Sequence, residues 1–188
     1  MRGDGPILWR CGPSPGPSPR KRGEGKTGRL EGHTTWIQSL QDDAEPRGLA
    51  VIVIHSLAHA VAALTAAARA DRPIVLASAP DAGSYVGPGW FGALVVAARE
   101  AVPGARFSAL LDCGDDVGAA LAAIRSEIEA VVFTGRTDVA RRLADIAGQH
   151  GVRLETERPT VALDLGAEFF AGEEILERRC AELLWRSR

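Results

Sequence analysis

The chain has 188 residues, a net charge of -2, 46% hydrophobic and 24% charged residues. That is enough for one core-bearing domain and too short for two large ones. Near-neutral charge and 5% aromatics exclude a basic nucleic-acid footprint and a base-stacking platform, and three scattered cysteines, Cys11, Cys113 and Cys180, exclude a disulfide framework and point to a reducing cytoplasm.

Residues 1–48 differ from the rest. They hold 6 of the 11 prolines and 9 of the 21 glycines, and Gly12–Lys26 reads GPSPGPSPRKRGEGK. Pro removes backbone donors, Gly is costly to order and no apolar period appears, so the expectation is a disordered leader. Its low complexity also resembles translated intergenic repeat, which would put a natural start near Leu49. The competing reading is a basic polyproline tail that docks on a partner. No secretory layout is present in it.

From Leu49 the pattern alternates. Leu49–Ala68 lacks Asp, Glu, Lys and Arg and is long enough to span a bilayer. Its character switches midway, however, from β-branched VIVI to Ala-rich helix former, which reads as a buried strand followed by a buried helix. The predicted elements are a strand Leu49–His55, a helix Ala58–Ala70, a strand Pro73–Ser78, a Gly-rich loop Asp81–Gly89 and a helix Trp90–Ala101. Then come a strand Arg106–Leu111, a helix Asp115–Glu129, a strand Ala130–Phe133, a helix Asp138–His150 capped by Gly151, and a strand Val152–Glu155. A sixth strand is expected in Thr160–Leu165 and an amphipathic helix in Gly172–Trp185, with Cys180 as a small buried hydrophobe. The strands are apolar runs without alternation, as in parallel sheets covered on both faces. The class is therefore α/β with parallel βα repeats, 49–188 forming one domain.

In parallel α/β folds, functional groups gather at the carboxyl ends of strands. Those ends carry His55, Ser78 to Asp81, Asp112-Cys113, Thr134-Gly135-Arg136, and Glu155 with Glu157. Carboxylates, an imidazole, a thiol and a guanidinium can hold a divalent metal or polarise a carbonyl. A carboxylate ending an apolar strand needs a partner, so Asp112 stands out. Arg136 suits a phosphate or a nearby Asp. For the rest, packing competes: His55 and His59 as core or surface histidines, Asp115 or Asp116 as a helix N-cap, Cys113 as a buried thiol or a redox-sensitive switch. The loop DAGSYVGPG is neither a Walker loop nor GxGxxG.

Three segments resemble the front part of class II fructose-bisphosphate aldolases, which are zinc-dependent TIM barrels. Pro73–Gly87 (PIVLASAPDAGSYVG) is similar to the family's P-[VI]-[VI]-L strand and AGxYxG-like loop. Arg106–Gly114 (RFSALLDCG) is similar to its LDHG strand end, and Gly151–Glu157 (GVRLETE) to its GVxVExE. Order and spacing agree from Ala58 to Glu157, which implies about half a barrel; an open flavodoxin-like sheet is the alternative.

The resemblance implies Asp112 as the catalytic acid, Cys113 in place of the first zinc histidine and Glu157 as a carboxylate near the metal, with Arg158-Pro159 where the family has Leu-Gly. His55 joins Cys113 and Glu157 as a metal candidate from its strand-end position, and Ser78, Gly83 and Arg136 are substrate-binding candidates. Zinc is the implied cofactor, weakly retained. The family's two later zinc histidines and its phosphate loops fall outside these 188 residues, so the expectation is a diverged aldolase-like protein that binds a small carbonyl or phosphorylated metabolite without ordinary aldolase activity. The alternative is a non-catalytic interaction or regulatory module. A homodimer is a further expectation; nucleic acid and membrane are not expected partners.

Overall fold

The computed structural model describes residues 49–186. The expected leader, 1–48, lies outside the described residues.

Strand β1 (Ala50–Ile54) leads into helix α1 (Leu57–Ala70), then β2 (Ile74–Ser78), α2 (Ala82–Tyr85) and α3 (Gly87–Ala101). Next come β3 (Phe107–Asp112), α4 (Val117–Arg125), β4 (Ala130–Val132), α5 (Thr137–His150) and β5 (Arg153–Glu155). A short β6 (Leu163–Asp164), a 3-10 turn (Leu165–Glu168) and α6 (Glu173–Arg186) complete the domain. Every strand pair is parallel, in the order β5-β4-β3-β2-β1-β6. The sheet is open. Its sequential run from β1 to β5 is the order of successive strands in a parallel barrel, not that of a doubly wound sheet.

Unbroken apolar strands follow from burial on both faces. Ile52, Ile54, Ile74, Leu76, Phe107, Leu111 and Val131 share one core with the buried residues of the helices. Val51, Val53, Val75, Ala77, Leu110, Ala130 and Val132 form a second cluster that contains no helical residue. Among the described residues, all helices thus cover one face. Against α1, whose buried residues are mostly alanines, α6 lays Leu176, Cys180 and Leu184, the two leucines contributing about 2 kcal/mol each.

The connection from β5 back to β6 is the feature that shapes the site. It must cross five strand spacings of about 4.8 Å, roughly 24 Å. Only residues 156–162 are available, and an extended chain of that length reaches about 27 Å. The segment therefore runs nearly straight across the second face as a strap. Running backwards on the face opposite the helices keeps this crossover right-handed, like the others. Pro159 and Val161 lie over Val51, Val53, Leu110 and Val132, and the Ala162 N–H donates to the Val51 carbonyl.

Several expected boundaries move. The loop Asp81–Gly89 holds α2 and the first turn of α3, because Pro88 near the first helical position starts a helix rather than preventing it. Helix α4 stops at Arg125, short of the expected Glu129, with Glu127 at φ 55°. At its ends, Val117 is exposed and Ile128 is buried from beyond the helix. The sixth strand shrinks to Leu163–Asp164. In α6 the buried positions are Leu176, Cys180 and Leu184, while Ile175 is exposed. Gly151 caps α5 in the left-handed region as expected, at φ 69°. Among the described residues, no helix is long and apolar enough to cross a membrane.

Candidate functional site

Asp112 ends β3 and is 6% exposed. A buried carboxylate must have its lone pairs satisfied, and here four donors converge on it. The main-chain N–H groups of Asp81 (3.1 Å) and Gly114 (2.9 Å) donate to Oδ1. Arg158, from the strap, donates through Nε to Oδ2 (2.6 Å) and through Nη2 to Oδ1 (3.1 Å). Arg158 Nη2 also reaches Asp81 Oδ1 at 2.9 Å. One guanidinium thus bridges two carboxylates, one buried and one exposed, in the fork geometry that arginine favours. Its own pKa is pushed further up, first by the hydrogen bond to Asp112.

The local backbone is built for this contact. Asp81 sits in the left-handed region at φ 59°, which turns its N–H toward Asp112. Gly114 has φ 55°, and a Cβ there would lie 1.9 Å from Asp81 Oδ1. Only glycine fits this position. Ser78 accepts the Asp112 N–H (2.9 Å) and gives its own hydrogen to the Ala79 carbonyl (3.0 Å), so its hydroxyl is committed to the main chain. Tyr85, exposed beside the same acids, donates to the Pro80 carbonyl. Its pKa is raised by burial of the hydroxyl, then by Asp81 and Asp112.

Cys113 is fully buried. Burial first, then Asp112 and Asp116, push its thiol up to about 12. It packs against Gly83, where an added Cβ would be 2.5 Å from its sulfur. Gly83 is therefore a packing glycine that lets α2 sit on the end of β3. Glu157 is exposed on the strap. Arg136 is exposed at the start of α5 and pairs with Asp138 at 3.0 and 3.1 Å.

His55 turns to the other edge of the sheet, where Nε2 meets Asp164 Oδ1 at 2.7 Å. Burial pushes the Asp164 carboxyl up, but the Gly166 N–H and then His55 outweigh it, so its pKa falls on balance. Below it, His59 is fully buried, as expected for a packed histidine. Its Nδ1 accepts the His55 N–H at 3.3 Å, which assigns the proton to Nε2; that nitrogen finds no hydrogen-bond partner among the described residues. Burial, then His55, lower the His59 pKa, opposed by Glu168, Asp164 and the Phe169 main chain.

Asp116, not Asp115, caps α4, accepting the Ala119 N–H at 3.0 Å. The structure thus joins Asp112, Ser78 and the Asp81 turn, stacks Gly83 on Cys113, and leaves His55, Glu157 and Arg136 with other surroundings. The zinc ion implied by the resemblance finds no fitting donor set: among the described residues no three His, Cys, Asp or Glu side chains gather as a metal site would need. Arg158 and Asp164 are the participants that motif reading did not single out. For Asp164 the signal was an acid ending a β-like run, the same one that marked Asp112.

Beneath the strap lies a cavity of about 40 Å³, lined by Ala77, Leu110, Val132, Asp112, Arg158 and Pro159 among others. Metabolite pockets are typically about 300–1,000 Å³, so with the strap in place this space holds little more than water.

No family model and no curated protein matches the chain. Among solved structures, it is similar to one described as a candidate fructose-1,6-biphosphate aldolase from Coccidioides immitis, with 16% identity and a TM-score of 0.48 over 57% of this chain. The chain spans 40% of that structure's length. The likeness is distant and carries no argument about chemistry.

Proposed function

We propose that this chain is a diverged aldolase-like protein that binds a small phosphorylated or carbonyl metabolite at the carboxyl end of its sheet and does not perform ordinary aldol cleavage. The observation behind this reading is the pair Arg158–Asp112. Asp112 has the strand-end position that the motif resemblance gives to a catalytic acid. Both its oxygens are engaged by an arginine whose side chain is 43% exposed. An acid so engaged is not free to move a proton on a substrate, since a general acid or base must reach the reacting atom directly or through one water. An exposed guanidinium at the same rim is a group that recognises phosphate or carboxylate oxygens. Cys113, buried with its thiol proton firmly held, supports the same reading, because thiolate and not thiol is the metal ligand.

Calorimetry with inorganic phosphate and dihydroxyacetone phosphate, together with an aldol assay over a series of divalent metals, tests it. Binding without turnover is expected. Turnover that Asp112→Asn abolishes would overturn the non-aldolase part, and absence of binding to every compound would overturn the whole. The interaction-module reading draws on a separate observation: Phe170 is 97% exposed beside Phe169. A stable complex with another protein, without any metabolite binding, would favour it.

A further inference from the structure

Arg158 sits where two demands meet. Its Nε and Nη2 make all three carboxylate bonds, leaving Nη1 outside them. It stands on a strap that the sheet holds by the β6 pairing, the Ala162 N–H to the Val51 carbonyl and small apolar contacts. Asp112, by contrast, is fixed without it: β3 carries its backbone, and the Asp81 and Gly114 N–H groups hold Oδ1. Removing the guanidinium therefore leaves the acid in place and frees Oδ2, whose sole hydrogen bond among the described residues is to Arg158 Nε.

We propose that the Arg158 strap is an internal latch, released when a phosphate dianion takes over the guanidinium from Asp112 and Asp81. This deepens the metabolite-binding reading and rests on it. The charge requirement is specific. Arg158 now faces two carboxylates, and a monoanion offers it less than the pair it would leave. A phosphate dianion matches the two negative charges and presents oxygens in the same fork spacing. The cavity under the strap is too small for a metabolite, so the ligand must first engage the exposed side of the guanidinium and then carry it outward. The transfer moves no covalent bond: an ion pair is exchanged, Oδ2 of Asp112 is unmasked, and the small cavity opens to the rim. Arg136 follows the carboxyl end of neighbouring β4 and is paired with Asp138.

The test is a titration of the full 15N-labelled chain with inorganic phosphate, following the Arg158 Nε–H signal and the amides of Asp81 and Gly114 by NMR. The expected result is a saturable shift of all three together, absent with acetate at matched ionic strength. Arg158→Lys keeps the charge but loses the fork, and its phosphate affinity should fall by roughly tenfold, the worth of one hydrogen bond to a charged group. Arg158→Gln should abolish the response, with its chemical-shift dispersion showing that it is folded. If phosphate binds at the rim while the Arg158 signal stays unmoved, or if acetate moves it equally, the latch is overturned and the binding reading survives. If phosphate perturbs nothing at the carboxyl edge, the latch is overturned, and the calorimetry with dihydroxyacetone phosphate decides the binding reading separately. If Arg158→Gln still shows the same Asp81 and Gly114 shifts, phosphate sits elsewhere and the latch is again overturned.

Discussion

Arg158 and Asp112 are 46 residues apart, yet the arginine grips both carboxylate oxygens, Nε to Oδ2 at 2.6 Å and Nη2 to Oδ1 at 3.1 Å. The strap makes this meeting geometrically necessary. Three residues beyond β5, an extended chain has travelled about 10 Å, two strand spacings, which is the position of β3.

Gly83→Ala tests how tightly the second half of this site is built. The new Cβ would press on Cys113 Sγ at 2.5 Å, with the Cys113 Cα at 3.2 Å and the Asp112 carbonyl at 3.3 Å behind it. We expect a loss of about 1–3 kcal/mol in urea denaturation. Combining it with Cys113→Ala should recover part of that loss, because the sulfur is the nearest obstacle but not the only one. Full additivity of the two changes would contradict the contact.

The thiols give an alkaline prediction. Burial raises both Cys113 and Cys180 from 9.0 to about 12. In the unfolded chain they ionise near 9, so between about pH 9 and about pH 12 the folded state binds more protons and stability falls as pH rises. Below about pH 9 that contribution is fully present. Thiol reagents should therefore react with Cys113 and Cys180 only as fast as the chain opens, and rapid labelling of the folded protein would contradict the burial. Zinc should leave the melting temperature where chelator leaves it, in wild type and in Cys113→Ala alike.

His59 gives the acid limb. Its folded pKa is lowered by burial, then by His55. The unfolded imidazole takes up its proton near 6.5 while the folded one resists, so stability is present above about pH 6.5 and is lost as pH falls further. Protonating Nδ1 would also oppose it to the His55 N–H it now accepts. In His59→Gln, which retains an acceptor, the drop in urea midpoint between about pH 7 and about pH 5 should shrink; an unchanged drop would assign the acid limb to other groups.

Much of this fold was legible from local pattern. Apolar runs such as VIVI and FSALL, short and bounded by helix-forming stretches, read as strands buried on both faces, and Gly151 marks the end of α5 through its left-handed conformation. What local pattern misses is what depends on topology. Ile128 continues the helical period of α4, but the chain turns at Glu127 and delivers it to the core from a loop. The Gly and Pro of the 81–89 segment read as loop because their propensities oppose helix, while Pro88 at the helix start carries no such penalty. Asp112 was conspicuous as a carboxylate ending an apolar strand. Its partner was not, because which arginine reaches it depends on the strap crossing the face opposite the helices. The same holds for His55 and Asp164, 109 residues apart and joined only by the pairing of β6 with β1.

A double-mutant cycle tests whether Arg158 holds Asp112. Asp112→Asn, Arg158→Met and the double variant should be compared with wild type by urea denaturation at neutral pH. Because Asp112 is buried while Arg158 is partly solvated, we predict a coupling of about 1–2 kcal/mol, below that of a fully buried pair. Additivity within about 0.3 kcal/mol would mean that the two side chains do not sense each other, and would contradict the account.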